Sequence, residues 1–145
     1  MEIFTIGFTK KTAAEFFGIL KGAGIETLVD VRLNNVSQLA GFSKRDDLAY
    51  FLRAICDADY RHEPTLAPTQ GMLDEYRRRK GSWDEYEDRF VKLIRERKIE
   101  ETTDRSLFER PSVLLCSEAT PERCHRRLVA EYLQQAWGNV EIVHL

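Results

Sequence analysis

The sequence predicts an α/β protein: a three-layer sandwich of about five mostly parallel strands, Rossmann-like or doubly wound. Two observations lead there. Short β-branched or leucine-rich runs alternate with amphipathic segments along the whole chain, as in a sheet crossed by helices. Several of those amphipathic segments open on a helix-capping pattern and close on glycine, so they read as discrete helices between strands. No repeat, low-complexity tract or long linker interrupts the 145 residues, and the expectation is one domain, 1–145.

Ile3-Phe4-Thr5-Ile6 stops at Gly7 and reads as a buried strand. Thr12 and Glu15 have the spacing of a capping box, in which each side chain satisfies the other residue's exposed N–H. Ala13, Phe16, Phe17 and Leu20 then share one helical face, ended by Gly22 and Gly24. Leu28-Val29-Asp30-Val31 is a second strand. Ser43 resembles a further cap, followed by the stripe Leu48, Phe51, Leu52 and Ile55. Tyr60-Arg61-His62 is a short strand ending before Pro64. A polar helix is expected from about Thr69 to Lys80, and Ser82 caps the next, with Tyr86, Phe90, Leu93 and Ile94 on one side. Val113-Leu114-Leu115-Cys116 has the continuous apolar character of a central parallel strand. Thr120 and Pro121 read as N-cap and first turn of the last helix, whose core face is Leu128, Val129, Tyr132, Leu133 and Ala136. Gly138 ends it, and Val140 to His144 forms the final strand.

The 22 basic and 24 acidic residues leave a net charge of −2, which argues against a global nucleic-acid or membrane field while permitting a local basic patch. No apolar run approaches the ~20 residues of a spanning helix. The start, Met1-Glu2-Ile3-Phe4, lacks the basic and apolar regions of a signal peptide. Three cysteines, at 56, 116 and 124, together with that start, predict free thiols in a cytoplasmic protein.

Ligands of open parallel sheets bind beyond the carboxyl ends of the strands. That rule places Gly7 and Thr9, Asp30 and Arg32, His62, Cys116 to Arg127, and His144 at one rim. Asp30 and Arg32 are two residues apart, so both point to the same face of their strand. There they either clamp a polar ligand or form a salt bridge with the last helix. Arg123, His125, Arg126 and Arg127 crowd a helix start, where cations are unfavourable. A carboxylate such as Glu118 or Asp30, or a bound anion, would offset them. Cys116 is a candidate nucleophile, favoured as thiolate by nearby cations, or else a small buried hydrophobe closing its strand. The six residues between Cys116 and Arg123, none of them Gly, differ from the Cys-x5-Arg of phosphate-cradling phosphatase loops. No metal is expected. Cys124 and His125 are neighbours about 100° apart on a helix, a poor arrangement for one ion even with Cys116, Asp30 or Glu118 completing the shell.

At these residues the chain resembles a known family, the bacterial and archaeal proteins catalogued as domain of unknown function 488. The resemblance rests on Thr5-Ile6-Gly7-Phe8-Thr9, Asp30-Val31-Arg32-Leu33-Asn34, Gly41-Phe42-Ser43-Lys44, Leu66-Ala67-Pro68-Thr69 and Leu114-Leu115-Cys116-Ser117-Glu118. Its most specific piece is Cys124-His125-Arg126-Arg127-Leu128-Val129-Ala130-Glu131-Tyr132. It implies a compact prokaryotic α/β protein and a shared site, and it names no activity or cofactor. One departure is Phe8, where the family often has His.

The expectation is an enzyme or binder acting on a small anionic ligand, nucleotide-like or phosphorylated. Cys116, Glu118, Asp30 and His125 are the catalytic candidates, and Gly7, Thr9, Arg32 and Arg126 the ligand-binding ones. The alternatives are nucleic-acid binding or modification through Arg77 to Lys80 with Arg123, Arg126 and Arg127, and a noncatalytic interaction module. In the last case the Cys, His, Arg and Glu side chains form a structural network. No membrane partner is expected, and the sequence sets neither cofactor nor oligomeric state.

Overall fold

The computed structural model describes residues 1–36, 41–77 and 81–145. Its five strands are β1 (Glu2–Gly7), β2 (Thr27–Asp30), β3 (Asp59–His62), β4 (Ser112–Cys116) and β5 (Glu141–His144). They form one sheet in the order β3-β2-β4-β1-β5, and every pairing is parallel. The helices are α1 (Ala13–Gly22), α2 (Arg45–Phe51), α3 (Gln70–Arg77), α4 (Trp83–Glu96), the short α5 (Ile99–Thr102) and α6 (His125–Trp137).

Helices cover both faces, and the strands' two-residue alternation divides the core accordingly. Phe4, Ile6, Leu28, Val113 and Leu115 pack with Phe16, Phe17 and Leu20 of α1 and with Leu48 of α2. Ile3, Val29, Leu114 and Cys116 face the other way, onto Phe90 and Ile94 of α4 and onto Leu128, Val129 and Leu133 of α6. A sheet covered twice explains why β4 is buried at all five positions.

Local chemistry sets the helix starts. Thr12 and Glu15 make both capping-box bonds, at 3.1 and 3.2 Å. Ser82 Oγ accepts the Glu85 N–H at 3.1 Å. Thr69 Oγ1 accepts the Met72 N–H at 3.2 Å. Two expected starts differ. Lys44, not Ser43, is the N-cap of α2 and makes no side-chain cap bond. Helix α6 begins at His125 with Cys124 as N-cap, and Thr120 to Arg123 are turn and bend. The Leu48 to Ile55 stripe continues past α2 into a π-helical turn, Leu52–Cys56, that ends at left-handed Asp57. The far end of the expected Thr69 to Lys80 helix, with Arg78, Arg79 and Lys80, lies outside the described residues.

Strand register aligns the carboxyl ends. Asp30 stands opposite Leu115 on one side and His62 on the other, and Gly7 stands opposite Cys116. The tips of β1, β2, β3 and β4 therefore share one rim.

Candidate functional site at the rim of the sheet

Asp30 and Arg32 form the most enclosed ion pair of that rim. Asp30 is fully buried. Its Oδ1 accepts the Arg32 Nε–H at 2.8 Å and the Arg32 main-chain N–H at 3.1 Å. Its Oδ2 accepts from Arg32 Nη2 at 2.8 Å and from the Tyr60 hydroxyl at 2.6 Å. Arg32 Nη2 also donates to the Ser43 carbonyl, and His62 Nε2 donates to the carbonyl of Arg32 at 2.7 Å. Burial, followed by the bond to Asp30, pushes the Tyr60 hydroxyl well above its ordinary pKa. The Phe8 ring lies 5.4 Å from the guanidinium carbon of Arg32, within cation–π range. Phe8 thus closes over this arginine. One nitrogen remains: among the described residues, the buried Arg32 Nη1 has no hydrogen-bond partner.

Arg32 borders a cleft of about 350 Å³. Thr9, Asn34, Ser117, Glu118 and His125 supply polar wall, and Arg77 at the end of α3 adds a second cation. Phe8 and Leu73 supply apolar wall. Such a mix of apolar surface with a few convergent polar groups suits a small ligand.

The loop after β4 folds tightly over β1. Thr9 donates its N–H to the Ser117 carbonyl at 3.1 Å, and its hydroxyl donates to the same oxygen. The Glu118 carbonyl sits directly against Gly7, where any Cβ would overlap it. Arg126 holds that carbonyl in place. Its side chain is fully buried, and Nη1 donates to Glu118 O at 2.7 Å and to Cys116 Sγ at 3.7 Å. Nε reaches Thr5 Oγ1 at 3.4 Å, and the buried Nη2 has no partner among the described residues. Burial lowers the Arg126 pKa to about 10, so the group stays cationic at neutral pH.

His125 donates from Nε2 to the Val31 carbonyl at 2.6 Å, and its ring meets Phe90 edge-on. Burial pushes its imidazole down to about 4, against the upward pull of that carbonyl. His125 is therefore neutral at physiological pH, with Nδ1 as its free lone pair.

Several sequence-based expectations change. Asp30 is consumed by Arg32 and Tyr60, so it orients the arginine and is not a free acid or base. Cys116 and Cys124 are joined by a disulfide, not free thiols, and Cys116 is no free nucleophile in that state. Cys124 is also not at helical spacing from His125. As N-cap it is extended, φ −139° and ψ 137°, which swings its thiol to the same side as the imidazole. One donor atom from each of Cys116, Cys124 and His125 lies within 4.8 Å of the others, so adjacency in sequence does not separate them. Gly7 and Arg126 shape the loop but do not line the cleft, whereas Thr9, Arg32, Glu118 and His125 do. The expected offset of the helix-start cations is divided. Arg127 pairs with Glu87 and Glu131 at 2.8 and 3.0 Å, while Arg126 takes the main-chain carbonyl of Glu118. Arg126 and Arg127 are thus withdrawn from the basic patch that the sequence suggested.

Tyr60, Asn35 and the cleft-facing role of Arg77 were not foreseen. Asn35 Nδ2 donates to the Tyr60 hydroxyl at 3.1 Å, completing the support of Asp30. The signal for Tyr60 was its place in β3, two residues before His62, on the face that Asp30 shares.

Fold and rim together define an all-parallel α/β protein with a cationic cleft at the carboxyl ends of neighbouring strands. The chain belongs to the family described as Domain of unknown function DUF488, whose model matches residues 12–133. No curated protein and no solved structure matches it. Among the described residues, no helix is long and apolar enough to cross a membrane.

Proposed function

We propose that this chain binds a small anionic ligand, a nucleotide or other phosphorylated compound, in the rim cleft, with Arg32 as its anchor. The observation that carries this reading is Arg32 Nη1, a buried, charged donor without a partner among the described residues, on a side chain that lines the cleft. A buried donor left unsatisfied costs about 1–3 kcal/mol, and more when charged. A phosphate or carboxylate oxygen would remove that cost. Asp30 and the Phe8 ring fix the guanidinium before any ligand arrives, which reduces the ordering penalty of binding. Arg77 supplies a second positive charge across the cleft. Any acid–base step there falls to Glu118 and His125, the carboxylate and imidazole of the lining. Arg126 belongs instead to the structural network that fixes the last helix.

The test is a thermal-shift screen of the full chain with inorganic phosphate, nucleoside mono- and diphosphates and sugar phosphates. A ligand at a hundred times its Kd stabilises by about 2.7 kcal/mol. Arg77→Ala, on the surface, should fold normally and weaken the shift, and Arg32→Lys should weaken it further by losing the planar donor. Equal shifts in wild type and both variants would overturn the reading, as would no shift with any of these anions.

A further inference from the structure

We propose that Cys116, Cys124 and His125, with the two cysteines in the dithiol state, form a binding site for a zinc-type divalent cation. The proposal does not rest on the anionic-ligand reading; with a metal bound, His125 Nδ1 is taken and any acid–base step in the cleft falls to Glu118. The three donor atoms already lie within 4.8 Å of one another; the two sulfurs are bonded in the disulfide state and, once reduced, must part to admit an ion at metal–sulfur distances of ~2.3 Å and a metal–nitrogen distance of ~2.0 Å. Cys116 ends the buried strand β4, His125 opens α6, and Cys124 stands immediately before it as the N-cap. The Cα atoms of Cys116 and Cys124 are 7.3 Å apart, wider than the ~4.4–6.8 Å usual for directly linked cysteines. That backbone spacing leaves room for an ion between the two sulfurs.

The surroundings favour the same assignment. The Val31 carbonyl takes the Nε2 proton of His125, which fixes the ring and leaves Nδ1 to coordinate, the usual support of a metal-bound imidazole. Cys124 occupies an N-cap position yet makes no capping bond with its side chain. Arg126, fully buried, donates to Cys116 Sγ, and its Nη2 has no partner among the described residues. Among the described residues no carboxylate pairs with it. A buried cation at that sulfur favours thiolate, the form that binds metal. A recess of about 30 Å³, bordered by both cysteines and His125, reaches Glu118 and Arg77 of the main cleft. It is large enough for one water, as a fourth ligand in an open zinc site.

The balance is simple. A phosphine reductant and one water convert the disulfide into two thiols and a phosphine oxide. Binding of M²⁺ then displaces one proton from each thiol, and the imidazole enters neutral. Thiolate and imidazole donors select zinc over hard cations such as magnesium or calcium.

The experiment uses the full chain, reduced with a phosphine and titrated anaerobically with cobalt(II) chloride. Expected are the visible ligand-field bands of tetrahedral cobalt and a near-ultraviolet thiolate-to-cobalt band, saturating at one ion per chain and bleached by zinc. Cys116→Ser and Cys124→Ser should lose the thiolate band's full intensity, and His125→Gln should weaken binding at least tenfold. Cys56→Ser, at the far end of the π-helical turn, should behave as wild type. X-ray absorption of the zinc-loaded wild type should show two sulfur neighbours, a measurement needing no variant to fold. Absence of both bands from reduced, folded wild type would overturn the proposal and leave only a redox pair. So would full bands in Cys124→Ser, or fewer than two sulfurs at the zinc.

Discussion

Replacing Gly7 with alanine tests how tightly the loop after β4 is clamped onto β1. The new Cβ would overlap the Glu118 carbonyl oxygen and stand 2.9 Å from Arg126 Nη1. Real Cβ atoms essentially never come closer than 3.0 Å. The obstacle is main chain, so the loop must withdraw by an ångström or more. Withdrawal breaks the 2.7 Å bond from Arg126 to that carbonyl. A hydrogen bond to a charged group is worth about 1.5–3 kcal/mol, and overpacking adds about 1–3 kcal/mol. A combined loss of about 3–5 kcal/mol is expected. At ~2–4 °C per kcal/mol for a chain of this size, melting should fall by about 10 °C. Urea unfolding followed by far-UV circular dichroism gives the free energy directly. Gly18→Ala is the internal comparison, because nothing lies within 4 Å of its added Cβ in the middle of α1. That change should stabilise by about 0.5–1 kcal/mol. A Gly7→Ala loss below about 1 kcal/mol would refute the packing argument.

Asp30→Asn leaves Arg32 buried beside a neutral amide, and breaking a buried pair costs about 3–5 kcal/mol. Asp57→Asn removes half of an exposed pair whose side chains are 59% and 90% accessible, and should cost less than about 1 kcal/mol in the same urea assay. The capping box at α1 carries a pH signature. The Thr12 main-chain and side-chain bonds hold the Glu15 carboxyl below its ordinary 4.5. Its contribution is present above that value and is lost as pH falls through the lower folded-state value. Thr12→Ala loses a cap worth about 1 kcal/mol at neutral pH, and the gap to wild type should narrow in melts below pH 4.5. A constant gap across that range would show that the Thr12 hydroxyl's contribution does not depend on the Glu15 charge, since alanine keeps the main-chain N–H that meets the carboxylate.

The sheet was legible because its signals are local and redundant. Val113 to Cys116 is apolar at every position, and only a strand covered on both faces needs that. Thr12 with Glu15, and Ser82, announced their helices through cap chemistry that the structure reproduces bond for bond. The start of α6 was misread because Thr120 and Pro121 mimic a cap. Side chains do not reveal that Thr120 to Arg123 form a bend and turn and that Cys124 is extended before the helix begins. That error carried into the site, since it put Cys124 and His125 on a helix they do not share. Asp30 and Arg32 were placed on one face by simple alternation. Their exclusive pairing depends on Tyr60 and Ser43, which arrive from elements 11 to 30 residues away. Arg126 carried a similar ambiguity. Its place at a helix start suggested a carboxylate or a bound anion as partner, and only the tertiary fold buries it against Thr5, Cys116 and the Glu118 carbonyl.

Strand order has a consequence for synthesis. β1 is flanked by β4 and β5, so Ile3 meets its partners only when Ser112 and Ile142 exist. At ~5–20 residues per second on the ribosome, the first strand waits roughly 5–20 s for the nearer one. Throughout that interval Ile3, Phe4 and Ile6 have no strand edge to join, and only helices, such as α1 against Phe4 and Ile6, can cover them. The segment made earliest is among the last to be completed. A ribosome-bound chain stopped short of residue 112 should therefore expose its amino-terminal end to proteases and chaperones.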